Sequence, residues 1–156
     1  MKIFSRSVLV LMMIVLMISC KKDDPSKTEL LTGKNWITTG MTIDPPIDLF
    51  GIQISDIYSL MDECSKDNYY RFETDGTWVV DDGATKCDSA DVQTITGIWF
   101  FSSDETEITC IVEGDTVTQT IDQISDSKIV TKISEMEDNG LGLMLYTITT
   151  TMEKQN

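Results

Sequence analysis

Any chemistry in this chain must proceed without imidazole. The 156 residues include no histidine, four cysteines (Cys20, Cys64, Cys87 and Cys110), and 26 Asp and Glu against 12 Lys and Arg, a net charge of −14. Ser-His-Asp and Cys-His nucleophile systems are therefore excluded, as is every metal site that uses His. Carboxylates cluster at Asp81-Asp82-Gly83, at Asp88 with Asp91, at Asp104-Glu105 with Glu107, and at Glu135 with Glu137-Asp138. Such oxygen ligands suit Ca²⁺, but none has the spacing of a dedicated calcium loop. Nothing in the linear order sets two of them on opposite sides of a sugar, as glycoside hydrolysis requires. They read as solvated turns that keep a monomer soluble. Arg71 is the one arginine beyond residue 6. Turned inward, it can hold a carboxylate bidentately; turned outward, it offsets neighbouring acids. A surface this acidic repels phosphate backbones, which removes nucleic acid as a partner. The expectation is a protein that is not an enzyme and uses no metal or cofactor.

Cys20 is a different case. Lys2 and Arg6 form a basic start, and Val8 to Ile18 is an unbroken apolar run. That run is shorter than the roughly 20 residues a bilayer-spanning helix needs, and it fits the apolar core of an export signal. Met17-Ile18-Ser19-Cys20 follows and resembles the lipobox of bacterial lipoproteins. The resemblance implies that residues 1–19 are a signal peptide and that Cys20 becomes the acylated amino terminus. Three acyl chains, at about 0.8 kcal/mol per buried methylene, make such an anchor effectively permanent. Residues 20–29 then serve as a tether. No Asp stands at the second mature position, and Lys22-Asp23-Asp24 resembles the surface-export signal of some Gram-negative lipoproteins. Together these imply anchorage in the outer membrane, facing outward.

The elements that must position everything else begin at Leu30. Short β-rich runs lie near 34–43, 68–73, 77–81, 93–101, 107–112, 116–124, 128–135 and 141–151, divided by Gly, Asp, Asn and Ser. The separators are short, so consecutive strands should pair antiparallel in a meander. The exception is Pro45 to Asn68. Pro45-Pro46 is read as the end of the first strand. Ile54, Ile57, Leu60 and Met61 then recur at helical spacing, with Ser55 or Asp56 as a cap.

One hairpin can be given a register. A three-residue turn, Thr74-Asp75-Gly76, pairs Phe72 with Trp78 and Tyr70 with Val80, gathering the large apolar side chains on one face. Extended outward, the same register sets Cys64 opposite residue 86, one position from Cys87. In an oxidising compartment a Cys64–Cys87 bridge would lock the hairpin base, by about 3 kcal/mol on the chain-entropy model. Cys110 alternates with Ile108 and Val112 and reads as a free, buried core residue. The rival, a metal site, lacks any close cysteine pair.

Leu30-Leu31-Thr32-Gly33 with Trp36, Tyr70-x-Phe72-x-x-Asp75-Gly76-Thr77-Trp78, Cys87, and Thr96-Gly97-Ile98-Trp99 together resemble the bacterial lipocalin-like lipoproteins. Gly33-Lys34-Asn35-Trp36 is one residue longer than the family's usual Gly-x-Trp. The resemblance implies an all-β domain over residues 30–156: an eight-stranded antiparallel up-and-down barrel with one short helix between its first two strands. Closure removes the exposed edges of a flat sheet, and eight strands leave room either for packed side chains or for one small apolar ligand. Two functions follow. In the first, a lipid-anchored envelope protein binds a small hydrophobic molecule against Tyr70, Phe72, Trp78, Trp99 and Phe101. In the second, those aromatics fill the barrel, and an exposed apolar patch near the rim or the 45–68 segment contacts an envelope or host partner.

Overall fold

The computed structural model describes residues 24–138 and 142–155, which form a closed antiparallel barrel. Its strands are β1 (Asn35–Leu49), β2 (Ile52–Asp56), β3 (Tyr69–Phe72), β4 (Thr77–Asp81), β5 (Thr94–Phe101), β6 (Glu107–Val112), β7 (Asp115–Ile124), β8 (Lys128–Asp138) and β9 (Leu143–Lys154). From β3 onward each strand pairs with the next, and β1 closes the cylinder by pairing with β3 on one edge and β9 on the other. Eight strands make the barrel, and the ninth, β2, folds back on the distal half of β1. Two short helices accompany them, α1 (Lys27–Leu31) and α2 (Glu63–Lys66), with a 3₁₀ turn at Tyr58–Leu60. Among the described residues no helix is long and apolar enough to cross a membrane. Residues 1–19, expected to be a signal peptide, and Cys20 lie outside the described residues.

The expected β3–β4 register is present: Phe72 pairs with Trp78 and Tyr70 with Val80. Gly76 adopts φ +87°, the left-handed conformation that a three-residue hairpin loop requires and that a Cβ disfavours.

Two features of the 45–68 segment correct the sequence reading. Pro45-Pro46 does not end the first strand, which runs on to Leu49 past a cis Asp44–Pro45 peptide. The prolines sit where pairing with β9 has stopped at Asp44 and where the register with β2 shifts between Thr42 and Ile47. No ladder bond needs their missing N–H groups there. Nor do Ile54, Ile57, Leu60 and Met61 share one helix. Ile54 belongs to β2, and the helical spacing is realised only as the 3₁₀ turn, where Asp56 Oδ1 accepts from Ser59 N–H at 3.1 Å. The short helix between early strands is α2.

One end of the barrel is closed by the chain's own entry. Ser26 caps α1 in a reciprocal box with Glu29. Leu31 (1% exposed) drops into the bore against Trp36 (0%), Phe72, Trp99, Ile129 and Met152. Lys34 Nζ bonds Asp126 at 2.7 Å, tying this entry to the β7–β8 turn. The residues expected to be tether thus end in an ordered plug.

Candidate functional site

Two bulges decide which side chains enter the bore. In β1, Thr38 and Gly40 face consecutive residues of β9, leaving Thr39 as an extra residue; in β7, Asp122 is extra. Each bulge switches the inward parity, so Trp36 and Thr38 give way to Met41 and Ile43, and Ile121 gives way to Ile124. The inward faces enclose a cavity of about 240 Å³. Leu31 forms its floor, and its walls include Tyr70, Phe72, Trp78, Phe101, Ile108, Cys110 and Met152. Among the described residues no charged side chain lines it. The volume is a little below the range of roughly 300–1,000 Å³ typical of drug-sized ligand sites.

A second cavity lies toward the barrel rim, beyond the first. Met41, Thr131 and Thr150 line the first, and the next inward positions on the same three strands, Ile43, Ile133 and Ile148, line the second, a more open cavity of about 350 Å³, with Ile47 and Tyr146. Because inward positions recur every second residue, one apolar track climbs the β8–β9–β1 wall. Glu135, Glu137 and Asp138 stand at its upper end. The segments around this mouth (45–68, 82–93, 113–115 and 135–138) are dominated by acids, with Lys66 and Lys86 as their only basic residues.

Four of the five aromatics expected at the site line the cavity; Trp99 does not. Its ring also faces inward, but it is packed into the core at the plugged end with Leu31, edge-on to Phe72 at 5.6 Å and to Phe101 at 5.2 Å, and its Nε1–H donates to Glu73 O at 3.0 Å. It braces the β3–β4 turn instead. Tyr70 and Phe72 lie nearly parallel to Trp78, with centroids 6.3 and 6.4 Å away. Burial pushes the Tyr70 phenol up, against a hydrogen bond with Thr38 that acts the other way. Arg71 stays out of the bore and pairs with Glu73 at 2.6 Å. Among the described residues, no group of three His, Cys, Asp or Glu could hold a metal ion.

Sequence reasoning missed the polar members of the lining. Thr38, Gln119, Thr131 and Thr150 all face the cavity. Threonine is so common on exposed sheet faces that its type carries no signal, and only the two bulges show which threonines point inward.

Cys64 and Cys87 are joined, with Cα atoms 5.2 Å apart, which ties α2 to the loop between β4 and β5. That loop is also gathered by Asp81. Its carboxylate accepts from Thr94 Oγ1 at 2.7 Å, Gln93 Nε2 at 2.8 Å and Gly83 N at 3.0 Å. Burial alone would raise the Asp81 carboxyl, but these bonds, with one from Tyr69, outweigh it and hold it below the usual range. Cys110 is a free thiol in the cavity wall, pushed up to about 12 by burial. No protein-family model matches this chain and no curated protein is similar to it, so the barrel's own geometry carries the functional reading.

Proposed function

We propose that this protein is a lipid-anchored cell-envelope binding module whose barrel, lipocalin-like in architecture, holds a small hydrophobic ligand. The observation that carries the reading is the apolar bore, floored by Leu31, with a second apolar cavity toward the mouth on the same three strands. A filled barrel would have no such space. The anchor belongs to the same reading. Residues 24–26 enter at the plugged end, so acylation of Cys20 would turn the plug toward the bilayer and the mouth away from it. An acidic mouth facing away from anionic headgroups is also the electrostatically favoured orientation.

Native mass spectrometry of protein taken from its own membranes tests the ligand. A co-purifying small molecule, lost on denaturation, is expected. Apo protein together with no binding of apolar probes sinks the reading. Metabolic labelling with a fatty acid tests the anchor, and equal labelling of wild type and Cys20→Ala ends that part. A second reading has its own observation: the β1–β2 tip exposes Leu49 (47%), Phe50 (98%) and Ile52 (67%). This apolar tip on the acidic rim suits contact with a partner protein. Retained partner capture by Phe50→Ser would dismiss it.

A further inference from the structure

The second cavity, at the mouth, is walled differently from the first. Ile43 and Ile47 from β1, Ile133 from β8 and Ile148 and Tyr146 from β9 supply its apolar sides. The β1–β2 hairpin carries the same surface outward. Ile47 pairs with Ile54 and Leu49 with Ile52, so alternation sets all four on one face. Asp48 and Gln53 take the other face, where they bond each other at 2.7 Å. Leu49 and Ile52 remain 47% and 67% exposed, so the outer end of this apolar face is open to solvent.

On β8 the inward alternation turns from apolar to acidic. Ile133 stands opposite Ile148, and Glu135 opposite Tyr146. The Ser134 and Thr147 hydroxyls meet at 2.9 Å on the outer face, while Glu135 and Glu137 line the cavity. Neither carboxylate has a cationic partner among the described residues. Lys132 on the same strand pairs with Asp122 at 2.8 Å, Lys66 with Glu63 at 2.6 Å, and Lys86 Nζ donates to Asp91 O at 2.6 Å. A cleft lined by one sign of charge concentrates the opposite sign. An anion is repelled here, and a second copy of this chain, at −14, would set like charge against like. A cation beside Glu135 also meets the ring of its directly paired neighbour Tyr146, whose π face attracts it. The volume, about 350 Å³, suits a small molecule rather than a folded partner.

Resting on the proposed ligand-binding reading, we infer that the molecule taken at the mouth is an amphiphilic cation. Its apolar body lies against Ile43, Ile47, Ile133 and Ile148, and its ammonium head is held by Glu135 and Glu137. The apolar walls supply the burial; the carboxylates choose the head.

The test titrates three probes of one chain length, octylammonium, 1-octanol and octanoate, by calorimetry at pH 7 and low salt, below any micellar concentration. The protein is wild type, a Glu135→Gln/Glu137→Gln variant, or a Glu105→Gln/Glu107→Gln control. Both variants remove two charges, but Glu105 and Glu107 stand at the plugged end, where Lys27 of α1 bonds the Glu105 carbonyl. In wild type, octylammonium should bind at least fivefold more tightly than 1-octanol despite its greater solubility in water, and octanoate should bind most weakly. Glu135→Gln/Glu137→Gln should weaken octylammonium at least tenfold and leave 1-octanol within twofold, which also shows that the cavity is intact. The control should leave both within twofold. The inference is overturned, while the ligand-binding reading stands, by any of three results: 1-octanol binding as tightly as octylammonium, the control weakening octylammonium as much as the mouth variant, or the mouth variant weakening both probes alike. If none of the three probes binds wild type, the ligand-binding reading falls with it.

Discussion

The indole Nε1–H of Trp36 donates to the carbonyl oxygen of Leu31 at 2.8 Å, five residues back in the chain. That bond turns the end of α1 into the barrel, so that the Leu31 side chain becomes the floor of the cavity. Leu31→Ala removes a fully buried side chain that neighbouring strands cannot move to replace. We expect a loss of about 3 kcal/mol, within the range for buried leucine truncations. Urea denaturation should show a lowered midpoint at unchanged slope. A midpoint within error of wild type would mean that the plug is not part of the core.

Gly97 explains the glycine of Thr96-Gly97-Ile98-Trp99. A Cβ there would lie 2.1 Å from the backbone oxygen of Ile111 on β6. Backbone cannot yield as a flexible side chain would, so Gly97→Ala should part β5 from β6 and cost on the order of 2–3 kcal/mol. Thermal unfolding followed by circular dichroism reads this directly. Wild-type stability in that variant would contradict the close approach of the two strands.

The disulfide encloses a segment 23 residues long. Cys64→Ser should lower stability by about 3 kcal/mol on the chain-entropy model and change mobility on a non-reducing gel. Unchanged mobility would remove the bridge.

Cys110 provides a pH test of the bore. Its thiol is pushed up to about 12 by burial, so at pH 8 almost none is thiolate. Alkylation by iodoacetamide should be slow in the folded protein, quicken about tenfold per pH unit, and become rapid on unfolding. The sign for stability follows from the same shift. The unfolded thiol ionises near its ordinary value while the folded one holds its proton, so stability falls as pH rises above about 9. The raised Tyr70 phenol adds its own decline at higher pH, so a Cys110→Ala variant should decline less steeply above pH 9, and if it declines in parallel with wild type the assignment to this thiol is wrong.

Asp81 works in the opposite direction. Its carboxyl is held below the usual range, so its contribution is complete at neutral pH and is lost as acid protonates the folded form. Asp81→Ala leaves the donors of Thr94, Gln93 and Gly83 unmatched, and should cost on the order of 2–3 kcal/mol at pH 7 and progressively less as acid protonates the wild-type carboxylate. A difference independent of pH would show that the carboxylate charge is not what holds the loop.

Local pattern determined much of this protein before any tertiary contact was considered. The eight barrel strands lie close to where apolar alternation and turn residues put them, since a half-buried strand writes its period of two directly into the chain. The β3–β4 register follows from the same source, because a three-residue turn leaves one arrangement in which Tyr70, Phe72 and Trp78 share a face; the Cys64–Cys87 bridge lies beyond that ladder, between α2 and the β4–β5 loop. The strands and their antiparallel meander were therefore legible from short-range order, while closure into a barrel was what the family resemblance implied.

What the tertiary structure alone decided lies beyond that range. One extra residue at Thr39 and another at Asp122 reverse which side of the sheet faces inward, and no residue type announces them. Pro45-Pro46 looked like a stop because proline cannot donate to a ladder, yet there the strand had already left its partner and had no bond to lose. Trp99 looked like a ligand contact because large aromatics line cavities. Its place in the packed core below the cavity depends on Leu31, Phe72, Phe101 and Glu73, which only the rolled sheet brings together. Whether the bore is filled or open is likewise a difference between the width of an eight-strand cylinder and the summed bulk of side chains from every wall. That difference exists only once the sheet has closed.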